Sequence, residues 1–213
     1  MSSLRITEIF YSIQGESNTV GIPTVFIRLT GCPLRCGYCD TAYAFTGGEK
    51  KNITDIIAEV ESHSTRFVTV TGGEPLAQSA CLELMAELLN LGYTVSLETS
   101  GAMDVSTVDP RVIKVMDLKT PSSGELSKNR YQNIRYLSKK DQVKFVIGNE
   151  EDYDWSKQII SEYKLPDYCE VLFSPITGQQ NPTELANKIL ADRLPVRFQI
   201  QLHKYLWNDA RGK

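Results

Sequence analysis

The chain has 213 residues, 41% hydrophobic and 23% charged, which excludes a disordered, collagen-like or coiled-coil protein. A chain this long buries about seventy per cent of its unfolded surface and needs no disulfide staples, and a formal net charge of −3 argues against a basic nucleic-acid-binding face. No run approaches the roughly twenty apolar residues of a membrane span, and Met1-Ser2-Ser3-Leu4-Arg5 leads into no apolar secretory segment, so a cytoplasmic, single-domain protein over residues 1–213 is expected.

Along the chain, β-branched runs alternate with amphipathic stretches. Thr24–Leu29 reads as a strand, and residues 54–61 as a helix with Thr54 at its N-cap. Phe67–Thr71 is a strand closed by Gly72-Gly73. Residues 79–90 carry Leu82, Met85, Leu88 and Leu89 at helical spacing, with Gly92 beyond. Further strands are expected at 93–98, 112–118, 143–147, 170–173 and 196–202, and helices near 152–162 and 183–191. The polar stretch 120–141 reads as a loop with a short helix, where function often resides. Strands separated by helices predict an α/β fold with a mostly parallel sheet. The units are too few for a full eight-fold barrel, so an incomplete β/α barrel is predicted.

Five cysteines is an odd number, and three of them, Cys32, Cys36 and Cys39, lie within eight residues. The spacing C-x3-C-x2-C suits three thiolates converging on one metal centre and fits a disulfide framework poorly. A zinc site ordinarily takes a fourth protein ligand from a second cysteine pair or a histidine pair, and none stands at a matching spacing. Cys81 and Cys169 read as small buried apolar residues. Three ligands without a fourth point to an iron–sulfur cluster with one iron open to an exogenous ligand, a mark of catalysis; a zinc knuckle or three incidental thiols is the competing reading.

With Tyr38 as the aromatic, Cys32-x3-Cys36-x-Tyr38-Cys39 resembles the signature of the radical S-adenosylmethionine (SAM) superfamily, and Gly72-Gly73-Glu74-Pro75 resembles its GGEP motif. The resemblance implies a [4Fe-4S] cluster whose open iron is chelated by SAM, and hydrogen abstraction from substrate by a 5′-deoxyadenosyl radical. It also implies a pared-down radical SAM core in which Tyr38, Cys39, Asp40, Gly73 and Glu74 contact SAM. Four more segments narrow the likeness: Glu8–Glu16 (EIFYSIQGE), Asp117–Gly124 (DLKTPSSG), Lys144–Ile147 (KFVI) and Gln201–Trp207 (QLHKYLW). Together they resemble the 7-carboxy-7-deazaguanine synthase family over nearly the whole chain. That likeness implies conversion of 6-carboxy-5,6,7,8-tetrahydropterin to 7-carboxy-7-deazaguanine with ring contraction and loss of ammonia, in queuosine and deazapurine biosynthesis.

By the same resemblance Ile13, Gln14, Gly15, Glu16, Thr71 and His203 face the pterin, and Asp117, Lys119 and Ser174 join the SAM contacts. The resemblance further implies Thr41 as a magnesium ligand, a flavodoxin or ferredoxin as electron donor, and a homodimer. Catalysis needs no side chain beyond those holding cofactor and substrate. Arg28 is the natural partner for the substrate carboxylate, because a guanidinium binds one bidentately and an unpaired charge between Ile27 and Leu29 would be unfavourable. The family turn usually carries a second glycine where this chain has Ser17. His63 is expected to be solvated, and His203 to close a strand. The alternative is another small radical SAM enzyme such as a glycyl-radical activating protein, which would lack the Gln14–Glu16 turn and the His203 segment.

Overall fold

The computed structural model describes residues 2–208 and 210–213. Nine strands form one sheet in the order β3-β1-β2-β4-β5-β6-β7-β8-β9, and the two edges do not join. β1 (Ser3–Ile13) runs antiparallel to both β2 (Pro23–Leu29) and β3 (Glu49–Asn52). From β2 onward every pairing is parallel: β4 (Phe67–Gly72), β5 (Thr94–Thr99), β6 (Ile113–Asp117), β7 (Gln142–Ile147), β8 (Glu170–Pro175) and β9 (Arg197–Phe198). The predicted incomplete barrel is therefore the observed fold, with two strands more than expected.

Helices α1 (Ile53–Glu61), α2 (Cys81–Asn90), α3 (Glu150–Glu162), α4 (Leu165–Tyr168) and α5 (Pro182–Asp192) cover the sheet. They do so because the parallel strands are apolar on the face the helices meet. Two clusters result. One joins Ile56, Val60, Leu84 and Leu88 of α1 and α2 to Val25, Ile27, Val70 and Leu97. The other joins Tyr153, Ile159 and Ile160 of α3 to Phe145, Val171 and Phe173. Cys81 belongs to the first and Cys169 to the second, both buried, as expected.

Several sequence expectations are corrected. The N-cap of α1 is Asn52, not Thr54. The expected strand over 196–202 shrinks to Arg197–Phe198, because the chain turns at Gln199 into α6 (Leu202–Trp207). His203 is thus helical and does not close a strand. Residues 120–141 form three short 3-10 turns, Pro121–Ser123, Leu126–Lys128 and Tyr131–Tyr136. His63 is part-buried and stacks on Tyr11, with ring centroids 5.3 Å apart.

Candidate active site

A cavity of about 420 Å³ opens at the C-terminal ends of the parallel strands, where (β/α) folds carry their chemistry. Its floor comes from strand ends, its walls from the turn after β1, the cysteine loop after β2, and the segment around α6.

The cysteine loop is tied down from several sides. The Gly31 amide donates to the Ala44 carbonyl at 2.8 Å, Gly37 to Ser123 at 3.0 Å and Cys39 to Cys36 at 3.2 Å. Leu34 anchors the loop in the core at 2% exposure, and the Arg35 guanidinium donates to the Cys32 carbonyl at 2.7 Å. Cys32, Cys36 and Cys39 remain free thiols, part-buried, and all three line the cavity. Burial pushes the Cys32 and Cys36 thiols up. Cys81 and Cys169, each held inside an apolar cluster, are not available to complete the ligand set.

The end of β4 meets this loop at backbone distance. Gly73 donates to the Leu29 carbonyl at 3.1 Å and Glu74 to the Gly31 carbonyl at 2.8 Å. A side chain at Gly73 would sit 2.2 Å from the Gly31 oxygen, and one at Gly72 2.3 Å from the Leu29 oxygen, so both positions require glycine. Gly72 and Gly73 line the cavity, but Glu74 does not. Its fully buried carboxylate accepts from the Thr99 hydroxyl at 2.9 Å and the Ser100 amide at 2.7 Å. That carboxylate fastens the ends of β4 and β5 together behind the wall.

Every other predicted contact lines one cavity: Ile13, Gln14, Gly15, Glu16, Arg28, Thr71 and His203, together with Tyr38, Cys39, Asp40, Thr41, Gly73, Asp117, Lys119 and Ser174. Gln14 donates to Thr69 at 3.1 Å and accepts from the Glu16 amide at 3.1 Å, which shapes the turn. Ser17, at the position of the family glycine, has φ 65, so the left-handed turn survives without glycine. Its amide donates to Gln199 and its hydroxyl lies 2.9 Å from that of Thr19. Gly15 packs on α6: a Cβ there would meet His203 Nδ1 at 2.2 Å.

The charges of the site form a connected series. Lys144 Nζ lies 2.7 Å from Glu16 and 3.3 Å from Asp117, and Lys119 lies 2.8 Å from Asp117. Burial opposes ionisation of Glu16 and Asp117, but Lys144, joined by Lys119 at Asp117, outweighs it and holds both carboxyls below their usual range. Lys144 is held well above its ordinary value by the same carboxylates despite burial. Glu98 differs: burial, with Glu16 and Asp117 close by, pushes it up. Arg28 pairs through Nε with Glu8 at 2.7 Å, and Tyr43 donates to the same carboxylate oxygen at 2.7 Å. Burial beside Glu8 pushes Tyr43 up to about 12. Burial also pushes Tyr38, next to the cysteines, up to about 12. Burial pushes His203 below its ordinary value, which favours neutral imidazole.

Sequence reasoning assigned no role to Glu98, Lys144, Gln201, Tyr43 or Glu8, all of which join this constellation. Lys144 was findable as a lone cation inside the apolar run Val143–Ile147. Nothing local marks Glu8, which meets Arg28 through the pairing of β1 with β2, or Tyr43, which reaches Glu8 from the turn after the cysteine loop.

The strand-end cavity, the three-cysteine loop and the Gly-Gly turn define a radical SAM enzyme, and the profile of the Radical SAM superfamily matches residues 26–119. Such an enzyme works with a [4Fe-4S] cluster and SAM. The chain belongs to the 7-carboxy-7-deazaguanine synthase family: it is 45% identical to the 7-carboxy-7-deazaguanine synthase of Chlorobaculum tepidum, over 98% of this chain and 97% of that protein. It is 39% identical to that of Koribacter versatilis, over 98% of this chain and all of the relative. The fold is shared with the crystal structure of QueE from Escherichia coli, with TM-score 0.79 and 24% identity over 94% of this chain and 95% of that one. Relatives of this name across the full length set aside the glycyl-radical activating alternative.

Proposed function

We propose that this chain converts 6-carboxy-5,6,7,8-tetrahydropterin to 7-carboxy-7-deazaguanine, with ring contraction and loss of ammonia, toward queuosine or a related deazapurine. The observation that carries the reading is the meeting, in one cavity, of three thiols and the Gln14-Gly15-Glu16 turn. The thiol set fits a cluster with one open iron: three free cysteines line the cavity, and the two remaining cysteines are buried elsewhere. Cys32, Cys36 and Cys39 would hold the cluster; with SAM bound, it supplies one-electron hydrogen-abstraction chemistry.

The chain's own residues bind and orient. Tyr38, Cys39, Asp40, Gly73, Asp117, Lys119 and Ser174 would contact SAM, with Glu74 holding the Gly-Gly turn against the cysteine loop through its amide. Gln14 and Glu16 offer an amide and an ionised carboxylate to the donor–acceptor edge of the pterin. Arg28 keeps its terminal nitrogens for the substrate carboxylate while Glu8 holds Nε and fixes the guanidinium plane. Ile13, Gly15, Thr71 and His203 complete the pterin side. Thr41 donates to Asp40 at 2.9 Å, which leaves its oxygen lone pairs free, so Thr41 would hold a magnesium ion, a hard Lewis acid for substrate oxygens. A reduced flavodoxin or ferredoxin supplies the electron, the chain acts as a single domain in a homodimer, and the free thiols suit the cytoplasm.

The test is anaerobic: reconstituted, reduced enzyme with SAM, magnesium and 6-carboxytetrahydropterin, read by mass spectrometry. A deazapurine with one equivalent of ammonia is expected. SAM cleavage without deazapurine would refute the substrate.

A further inference from the structure

Gln201 stands immediately before α6 and is part-buried. Its amide nitrogen donates to Glu16 Oε1 at 2.8 Å and to Asp40 Oδ2 at 3.1 Å. Its amide oxygen accepts from the Thr177 hydroxyl at 3.4 Å. A primary amide has two N–H donors, and here each carboxylate takes one. Glu16 belongs to the turn after β1, Asp40 to the end of the cysteine loop, and Thr177 to the segment after β8. One side chain therefore spans the two halves of the cavity.

The surroundings give that span its consequence. Glu16 and Asp40 are both carboxylates, and the one amide bridges them at 2.8 and 3.1 Å. Each has its own cation on the far side: Lys144 at 2.7 Å for Glu16, Lys204 at 3.0 Å for Asp40. The Gln201 amide joins them. Asp40 in turn takes the Thr41 hydroxyl at 2.9 Å, so the orientation of Asp40 sets that of Thr41.

We infer that Gln201 is a positioning residue that couples occupation of the pterin turn to the geometry of the cysteine-loop end. The inference rests on the pterin reading of that turn. When substrate engages Glu16, the shared amide fixes Asp40 and Thr41 beside the adenosyl side of the cavity. Without the amide the two carboxylates repel, the loop end is released from the turn, and SAM is cleaved without productive capture of the substrate.

Q201L and Q201E test this in reconstituted holoenzyme, beside wild type. Both are expected to keep wild-type iron and sulfide content and wild-type SAM cleavage without pterin. Q201L is expected to raise the pterin KM about tenfold or more, the effect of losing hydrogen bonds to charged groups. It is also expected to lower the deazapurine formed per SAM cleaved by a similar factor. Q201E sets a third carboxylate between two and is expected to be worse than Q201L on both measures. A Q201L enzyme within twofold of wild type in KM and in product per cleavage overturns the inference, as does a Q201E enzyme better than Q201L. Loss of cluster and cleavage together, with the product ratio unchanged in the remaining active fraction, also overturns it and assigns Gln201 to folding. Wild type serves as the reference: if it makes no deazapurine, the pterin reading fails, not the coupling.

Discussion

Lys144→Met removes the cation that holds two carboxylates while keeping a long apolar stem. Nζ is 2.7 Å from Glu16 and 3.3 Å from Asp117, with the lysine side chain 11% exposed. Breaking a buried ion pair by removing one partner destabilises by about 3–5 kcal/mol. The lower end applies, because Asp117 keeps Lys119 at 2.8 Å and Glu16 keeps the Gln201 amide at 2.8 Å. About 3 kcal/mol corresponds to a melting temperature lower by roughly 6–12 °C for a domain of this size. The pH dependence has a definite sign. Glu16 and Asp117 have depressed folded-state values, so their contribution is present above the unfolded carboxylate range and is lost as pH falls through the lowered values. Lys144 is raised, so its contribution is present below its unfolded value and is lost only in strong alkali. The stability difference between wild type and K144M is therefore full near pH 7 and shrinks on acidification below about pH 4. Anaerobic urea unfolding at several pH values measures it. A difference below about 1 kcal/mol at pH 7, or one that grows on acidification, would refute the reasoning.

Four further outcomes are expected. Ser17→Gly should stabilise by about 0.5–1 kcal/mol, since relief of the left-handed backbone at φ 65 outweighs loss of the hydroxyl contact to Thr19; urea midpoints report it. Gly15→Ala drives a methyl to 2.2 Å from His203 Nδ1 and should lower stability by about 1–3 kcal/mol while raising the pterin KM. Arg28→Ala should leave iron content and substrate-free SAM cleavage unchanged and raise the pterin KM about tenfold or more; an unchanged KM sinks the carboxylate assignment. Replacing Cys32, Cys36 or Cys39 by Ala should abolish the cluster chromophore and activity together, whereas Cys81→Ala should spare both.

Six of the seven expected strands exist because each carries a β-branched or aromatic run that the sheet buries, as in Val25–Leu29 and Val143–Ile147, while the seventh keeps only the part-buried Arg197–Phe198. β1 escaped notice because only Leu4 and Ile6 are well buried in its first half, while its second half borders the cavity with half-exposed side chains such as Phe10, which stacks on Phe26. β3, Glu49-Lys50-Lys51-Asn52, is a charged edge strand whose composition reads as loop. The site was legible where local motifs speak: the cysteine loop, the Gly-Gly turn and the Gln14–Glu16 turn. What was not legible lies in pairings between distant residues, such as Glu8 with Arg28 and Gln201 with Glu16 and Asp40, which exist only after β1 and α6 are docked on the barrel. The bond from Thr99 to Glu74 was hidden for the same reason, since the strand end that reaches this carboxylate is twenty-five residues further on.

The central claim is that three thiolates of this chain hold a four-iron cluster whose fourth iron takes SAM. Electron paramagnetic resonance of the anaerobically reconstituted, reduced enzyme, with iron and sulfide counted on the same sample, tests it most directly. About four irons and four sulfides per chain are expected, with a cluster signal that changes when SAM is added. One zinc per chain, or a cluster signal indifferent to SAM, would contradict the account.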